Sequence, residues 1–146
     1  MKIAIVKLSS LGDIVLSMVA LQFIKKTYPN SKIDWIVEEQ FKSVLANNPH
    51  IDNIYSISLR KVKKEKSIYL LLRELRKLRR LKGYDVVIDA QGLLKSALVA
   101  KIISTKKNVL FYQRGRYKRP RFYYFNNNSK HVIFHIFVFR VVLKSF

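Results

Sequence analysis

The first apolar run, Lys2–Lys7 (KIAIVK), is short and rich in β-branched residues, and it predicts a buried strand. Beyond the turn SSLGD, Ile14, Met18, Leu21 and Ile24 recur at helical spacing. Val15, Val19 and Phe23 widen that face, so a helix is expected over 14–26, stopped by Pro29 and Asn30. Lys32–Val37 (KIDWIV) predicts a second strand, Glu38–Ala46 a short helix, and Asn53–Leu59 (NIYSISL) a third strand. Arg60–Lys66 reads as a basic loop. Ser67 can cap a helix with Ile68, Leu71, Leu72, Leu75 and Leu78 on one face and Arg73, Arg76, Lys77, Arg79 and Arg80 mostly on the other, ended by Gly83. Tyr84–Asp89 (YDVVID), Leu93–Ile103 and Asn108–Tyr112 then predict a strand, a helix and a fifth strand.

Several strands are continuous apolar runs and alternate with helices. That pattern predicts an α/β fold, a Rossmann-like parallel sheet with helices on both faces. The layer is expected to span residues 1–112. After Tyr112 the texture turns basic, then aromatic, then strongly apolar, without an acid. Residues 113–146 therefore read as an atypical, altered or out-of-frame tail.

Composition changes the picture in three ways. Apolar residues make up 49% of the 146, enough for a sizeable core. Cysteine is absent, which excludes disulfides and thiolate metal sites and fits a cytosolic chain. No run approaches the roughly 18 uncharged apolar residues of a membrane span, so the protein is expected to stay inside the cell. The net charge of +20 points to polyanions as partners: nucleic acid, an anionic membrane face, or a phosphorylated or carboxylated substrate.

Ligands of open α/β sheets sit outside the carboxyl ends of the strands. Three polar stretches fall there: Ser9–Asp13 after the first strand, Arg60–Lys66 after the third, and Asp89–Gly92 after the fourth. Asp13 could serve as a general base or simply cap its helix, and residue type favours the cap. Ser9 and Ser10 could meet an anionic group or be ordinary turn residues. Gly12 permits a tight turn or close approach of a ligand to the backbone. Arg60, Lys61, Lys63 and Lys64 could grip carboxylates or phosphates, or form a solvated charge run. The basic face of the following helix could lie against an anionic membrane. Asp89 could orient a ligand or satisfy loop N–H groups. His50, His131 and His135 lack metal-ligand spacing.

Taken together, KLSSLGDIV at 7–15, DWIVEE at 34–39 and VIDAQGLLKSAL at 87–98 resemble, in words and spacing, the N-terminal domain of the lipopolysaccharide heptosyltransferases of glycosyltransferase family 9. The I-type members fit best and the II-type next. The likeness covers roughly the first 110 residues. It implies half of a two-domain GT-B enzyme that transfers heptose from ADP-heptose to the Kdo sugars of Kdo2-lipid A, peripherally at the cytoplasmic face of the inner membrane. The donor would be held mainly by a C-terminal domain beyond this chain, so the chain alone is expected to be inactive. The resemblance assigns Asp13 as catalytic base, Ser10 and Gly12 to the loop around it, and Arg60, Lys61 and Lys64 to the basic segment that meets the anionic acceptor. It implies no cofactor and no metal. A basic nucleic-acid-binding module is the competing reading; it accounts for the charge but not for the SSLGD and DAQG loops.

Overall fold

The computed structural model describes residues 1–103, 109–113 and 121–124. Within them, strands β1 (Lys2–Val6), β2 (Lys32–Glu38), β3 (Asn53–Ile57), β4 (Val86–Asp89), β5 (Val109–Gln113) and β6 (Arg121–Tyr124) form one sheet in the order β3-β2-β1-β4-β5-β6. The first five pair in parallel and β6 joins β5 antiparallel. The sheet thus continues past Tyr112, where the change of texture had suggested a boundary. The remainder of the 113–146 segment lies outside the described residues, apart from Gln113.

Helices cover both faces, as the pattern predicted. Helix α1 (Leu11–Thr27) and the short α2 (Lys42–Leu45) set Ile14, Ala20, Leu21 and Leu45 against Ile3, Ile5, Ile33, Trp35 and Val37. On the other face, α4 (Ile68–Arg80) and α5 (Leu94–Ile103) set Leu78, Val99, Ala100 and Ile103 against Ala4, Val6, Ile36 and Val87. Alternate residues of β1 therefore feed two cores, because successive strand side chains point to opposite faces. Each fully buried Val, Leu or Ile contributes about 1.5–3 kcal/mol relative to exposure. Asp34, buried in β2 on the face of Ala4 and Ile36, ties neighbouring segments together: it accepts from Tyr84 Oη at 2.8 Å and Asn53 Nδ2 at 2.8 Å, and Lys2 Nζ lies 3.5 Å away.

Three local expectations need correction. The segment expected to be a basic loop is helix α3 (Leu59–Glu65), ended by Lys66 in the left-handed region at φ 48°. Arg and Lys are good helix formers, and Lys61 pairs with Glu65 one turn on at 3.8 Å. Glu38 accepts the Arg60 N–H at 2.7 Å, a first-turn donor the helix itself leaves unpaired. In α4, Ser67 does cap, accepting from Leu70 N at 3.3 Å, but the buried row is Leu70, Glu74 and Leu78. Ile68, Leu71 and Leu72 face outward instead. The pattern hid this row because Glu74 stands in it. Its buried carboxylate takes bonds from Arg73 and Lys77, each at 3.1 Å at its shortest, and from Ser58 N–H at 3.4 Å. In α1, Val15 and Phe23 are exposed while the smaller Ser17 and Ala20 turn inward, which lets the helix lie close to the sheet.

Candidate active site at the switch point

In this strand order the chain winds outward from β1 through β3 and then, from β4, in the opposite direction. The reversal between β1 and β4 opens a crevice beyond their carboxyl ends, the general ligand site of doubly wound sheets. Two loops emerge there: Lys7–Ser10 from β1 and Ala90–Leu93 from β4.

Gln91 staples the two loops. Its Oε1 accepts from Leu8 N at 2.8 Å and Ser9 N at 3.1 Å, and its Nε2 donates to Ser9 Oγ at 3.1 Å. Asp89 folds the second loop beneath it. One carboxylate oxygen accepts from the backbone N–H groups of Gln91 and Gly92, the other from Ser96 Oγ at 3.0 Å. Complete burial pushes the Asp89 pKa above the usual carboxylate range. Those hydrogen bonds and the charge of Lys7 oppose the shift without cancelling it. Of its two readings, the structure gives Asp89 the one of holding the loop.

Asp13 is not the helix cap. The N-cap of α1 is Ser10, whose side chain makes no capping bond, and Asp13 stands three residues in, within the first turn. There the helix dipole favours a carboxylate. Its Oδ2 lies 3.4 Å from Lys7 Nζ, and 47% of its side chain remains exposed, open to a ligand. Lys7 itself is nearly buried, so the pair joins an interior cation to a surface carboxylate. Gly12 is helical rather than a tight turn, and a Cβ built on it would meet nothing within 4 Å. The space beside the first turn is thus not filled by the protein itself. Ser10, Gly12 and Asp13 thus stand together at the start of α1, at the end of the β1 loop.

The cations lie farther along the same edge. Arg60 opens α3 after β3, two strands from β1, hence about 10 Å across the sheet. Its guanidinium donates to the neutral Gln40 Oε1 at 2.9 Å, and its charge also acts on the Glu38 carboxylate. Lys61 spends part of its charge on Glu65; Lys64 is exposed in the last turn. Glu38, at the end of β2, bridges the two regions: its own N–H donates to Leu8 O at 3.3 Å, and its carboxylate holds the start of α3. Burial raises the Glu38 pKa, against the Arg60 N–H bond and the charges of Lys95 and Arg60.

Lys7, Gln91 and Glu38 were not singled out from the sequence for these roles. A lysine closing an otherwise apolar strand, and an acid closing another, are the signals that mark two of them. Gln91 stands inside the Asp89–Gly92 stretch, and no local signal marks its partners in the β1 loop.

Such a layer, with polar side chains gathered at the switch point, is the ligand-binding architecture of many doubly wound domains, and its relatives narrow the class. The chain belongs to glycosyltransferase family 9 (heptosyltransferase), whose profile matches residues 71–139. It is similar to lipopolysaccharide heptosyltransferase 1 of Campylobacter coli, 40% identical over 148 residues, covering 100% of this chain and 41% of that protein. The same-named protein of Escherichia coli K12 is 32% identical over 137 residues, covering 91% and 42%. Among solved structures, E. coli heptosyltransferase WaaC with ADP-2-deoxy-2-fluoro heptose superposes with a TM-score of 0.69 at 27% identity, over 92% of this chain and 45% of that one. The chain therefore spans less than half the length of the relatives it matches. The likeness does not stop near residue 110: the family match and the Campylobacter alignment both run on through the later segment.

Proposed function

We propose that this layer is the acceptor side of a heptosyltransferase of the I type, acting on ADP-heptose and Kdo2-lipid A. The observation that carries the reading is Asp13: a half-exposed carboxylate in the first turn of α1, held by Lys7 beside an unfilled space at the switch point. In the reaction, the acceptor hydroxyl oxygen bonds to the anomeric carbon of the heptose as the bond from that carbon to ADP breaks. The hydroxyl proton passes to Asp13. Ser10 and Gly12 border the reacting hydroxyl. Arg60, Lys61 and Lys64 meet the carboxylates and phosphates of the acceptor, for which guanidinium and ammonium groups are suited. The donor is held mainly by a second domain of comparable size. The enzyme works peripherally on the cytoplasmic face of the inner membrane.

The test is heptose transfer from ADP-heptose to detergent-dispersed Kdo2-lipid A by the 146-residue chain, alone and with the donor-side half of a similar heptosyltransferase. Transfer that requires both halves and is lost on Asp13→Ala supports the reading. Transfer by the chain alone refutes the assignment of the donor to another domain. Undiminished turnover in the Asp13→Ala variant removes Asp13 from the chemistry.

A further inference from the structure

Helix α4 carries a surface that the reaction does not use. Between Leu59 and Lys82, eleven lysines and arginines stand against two glutamates. Glu74 is buried against the sheet, and Glu65 is paired with Lys61. The outward side of this segment is therefore almost wholly cationic. At the start of α4 it is also apolar: Ile68 is 75% exposed, Tyr69 71% and Leu72 49%. Leu70, Glu74 and Leu78 face the protein, so at 100° per residue Ile68, Tyr69 and Leu72 lie on the far side, followed along that side by Arg76, Arg79 and Arg80. Lys63 in the last turn of α3 and Lys66 just beyond it flank the apolar turn.

We propose that this α3–α4 corner docks on the surface of an anionic bilayer, with Ile68, Tyr69 and Leu72 sunk to the acyl boundary. The surrounding cations meet lipid phosphates. The extension rests on the reading above in one respect, that a lipid acceptor brings the enzyme to a membrane. Exposed apolar side chains at one end of a basic, amphipathic helix are the composition of interfacial helices. Arginine stems lie along the apolar layer while their guanidinium groups stay at the headgroups. Nucleic acid also attracts this charge, but phosphate neutralisation gives no use to an exposed Ile, Tyr and Leu cluster. Among the described residues no helix is long and apolar enough to cross a membrane, so contact by this corner is interfacial.

The experiment is co-sedimentation of the 146-residue chain with vesicles of phosphatidylglycerol and phosphatidylethanolamine, and with vesicles of phosphatidylcholine alone, without sugar or nucleotide. Duplex DNA serves as a competing polyanion. Binding is expected to the anionic vesicles and to fall with salt. Ile68→Ser, Tyr69→Ser and Leu72→Ser together leave the charge unchanged and are expected to weaken it about tenfold or more. Circular dichroism confirms that the variant is folded. In a Tyr69→Trp variant, brominated acyl chains should quench the new fluorescence, while buried Trp35 supplies a constant background. Vesicle binding that ignores the three serines, or absence of quenching, overturns the proposal. So does DNA binding that matches vesicle binding and is equally blind to the apolar changes. Because no transfer is measured, failure here leaves the reading of Asp13 standing, and failure of that reading leaves this surface standing.

Discussion

Replacing Gln91 with alanine removes three hydrogen bonds at one stroke, and the structure says they are unequal. Leu8 is 0% exposed, so its N–H, now 2.8 Å from Gln91 Oε1, has no water to turn to. A buried donor left without an acceptor costs about 1–3 kcal/mol. Ser9 is only partly buried, so its N–H and hydroxyl recover water, each losing roughly 0.5–1 kcal/mol net. The total is about 2–5 kcal/mol. At a denaturation slope of about 2 kcal/mol per molar urea, the midpoint should fall by about 1–2.5 M. Amide exchange should localise the loss: Leu8 and Ser9 are expected to exchange about 30-fold faster or more, since every 1.4 kcal/mol is about tenfold. Leu94→Ala, at a residue 80% exposed on the next helix, is the control and should stay within about 0.5 kcal/mol. An unchanged midpoint together with unchanged Leu8 exchange would refute the staple. The strands alone would then hold the loop that carries Ser10 and Asp13.

In the heptose-transfer assay, Asp13→Asn should lower kcat by about 10²–10⁴, the usual contribution of a positioned base, with acceptor affinity unchanged in an equilibrium binding assay. Arg60→Gln, Lys61→Gln and Lys64→Gln together should weaken acceptor binding roughly tenfold, from exposed contacts of about 0.2–1 kcal/mol each. Equal affinity would make them a solvated run. A third expectation concerns pH. Burial raises the folded-state pKa of Asp89 above its ordinary 3.8, so its contribution to stability is present below that value and is lost as pH rises through the raised one. Glu38 acts in the same direction. Asp52 acts oppositely: desolvation is outweighed by bonds from Ile33 N–H and Lys25, its pKa is lowered, and its contribution is lost as pH falls. Asp89→Asn keeps the acceptor for the Gln91 and Gly92 amides, and should flatten the decline of urea midpoint on the alkaline side of pH 3.8. An identical pH profile in the variant would show that Asp89 titrates normally.

Periodicity made the sheet legible because its strands are apolar runs with few competing signals. It misjudged α4 for one reason: a helix face can include a charged residue if the neighbours on its own turn neutralise it, and Arg73 and Lys77 do so for Glu74. Counting apolar residues then favoured Ile68, Leu71 and Leu72, which the fold leaves outside. Lysine-rich α3 was read as a loop because its charges carry no period; Glu38, which holds its first turn, is distant in sequence. For the site, spacing placed SSLGD and DAQG at strand ends, but the bond between them runs through Gln91 across 82 and 83 residues. No local pattern encodes a partner at that separation, which depends on β1 and β4 becoming neighbours.

That adjacency also decides which carboxylate could do chemistry. Asp13 and Asp89 both stand near Lys7, one through a 3.4 Å pair, the other through a longer-range attraction. Their environments separate them. Asp89 is fully buried, with one oxygen committed to two amides and the other to Ser96; taking a proton from a substrate would require breaking the loop it organises. Asp13 has no such duty, since Ser10 occupies the cap, and it reaches solvent beside the space at Gly12. Lys7 holds it in place through the 3.4 Å pair. Lys7→Met should thus loosen Asp13 while sparing its carboxylate: kcat is expected to fall with KM nearly unchanged. An unchanged kcat would leave Lys7 a packing residue alone.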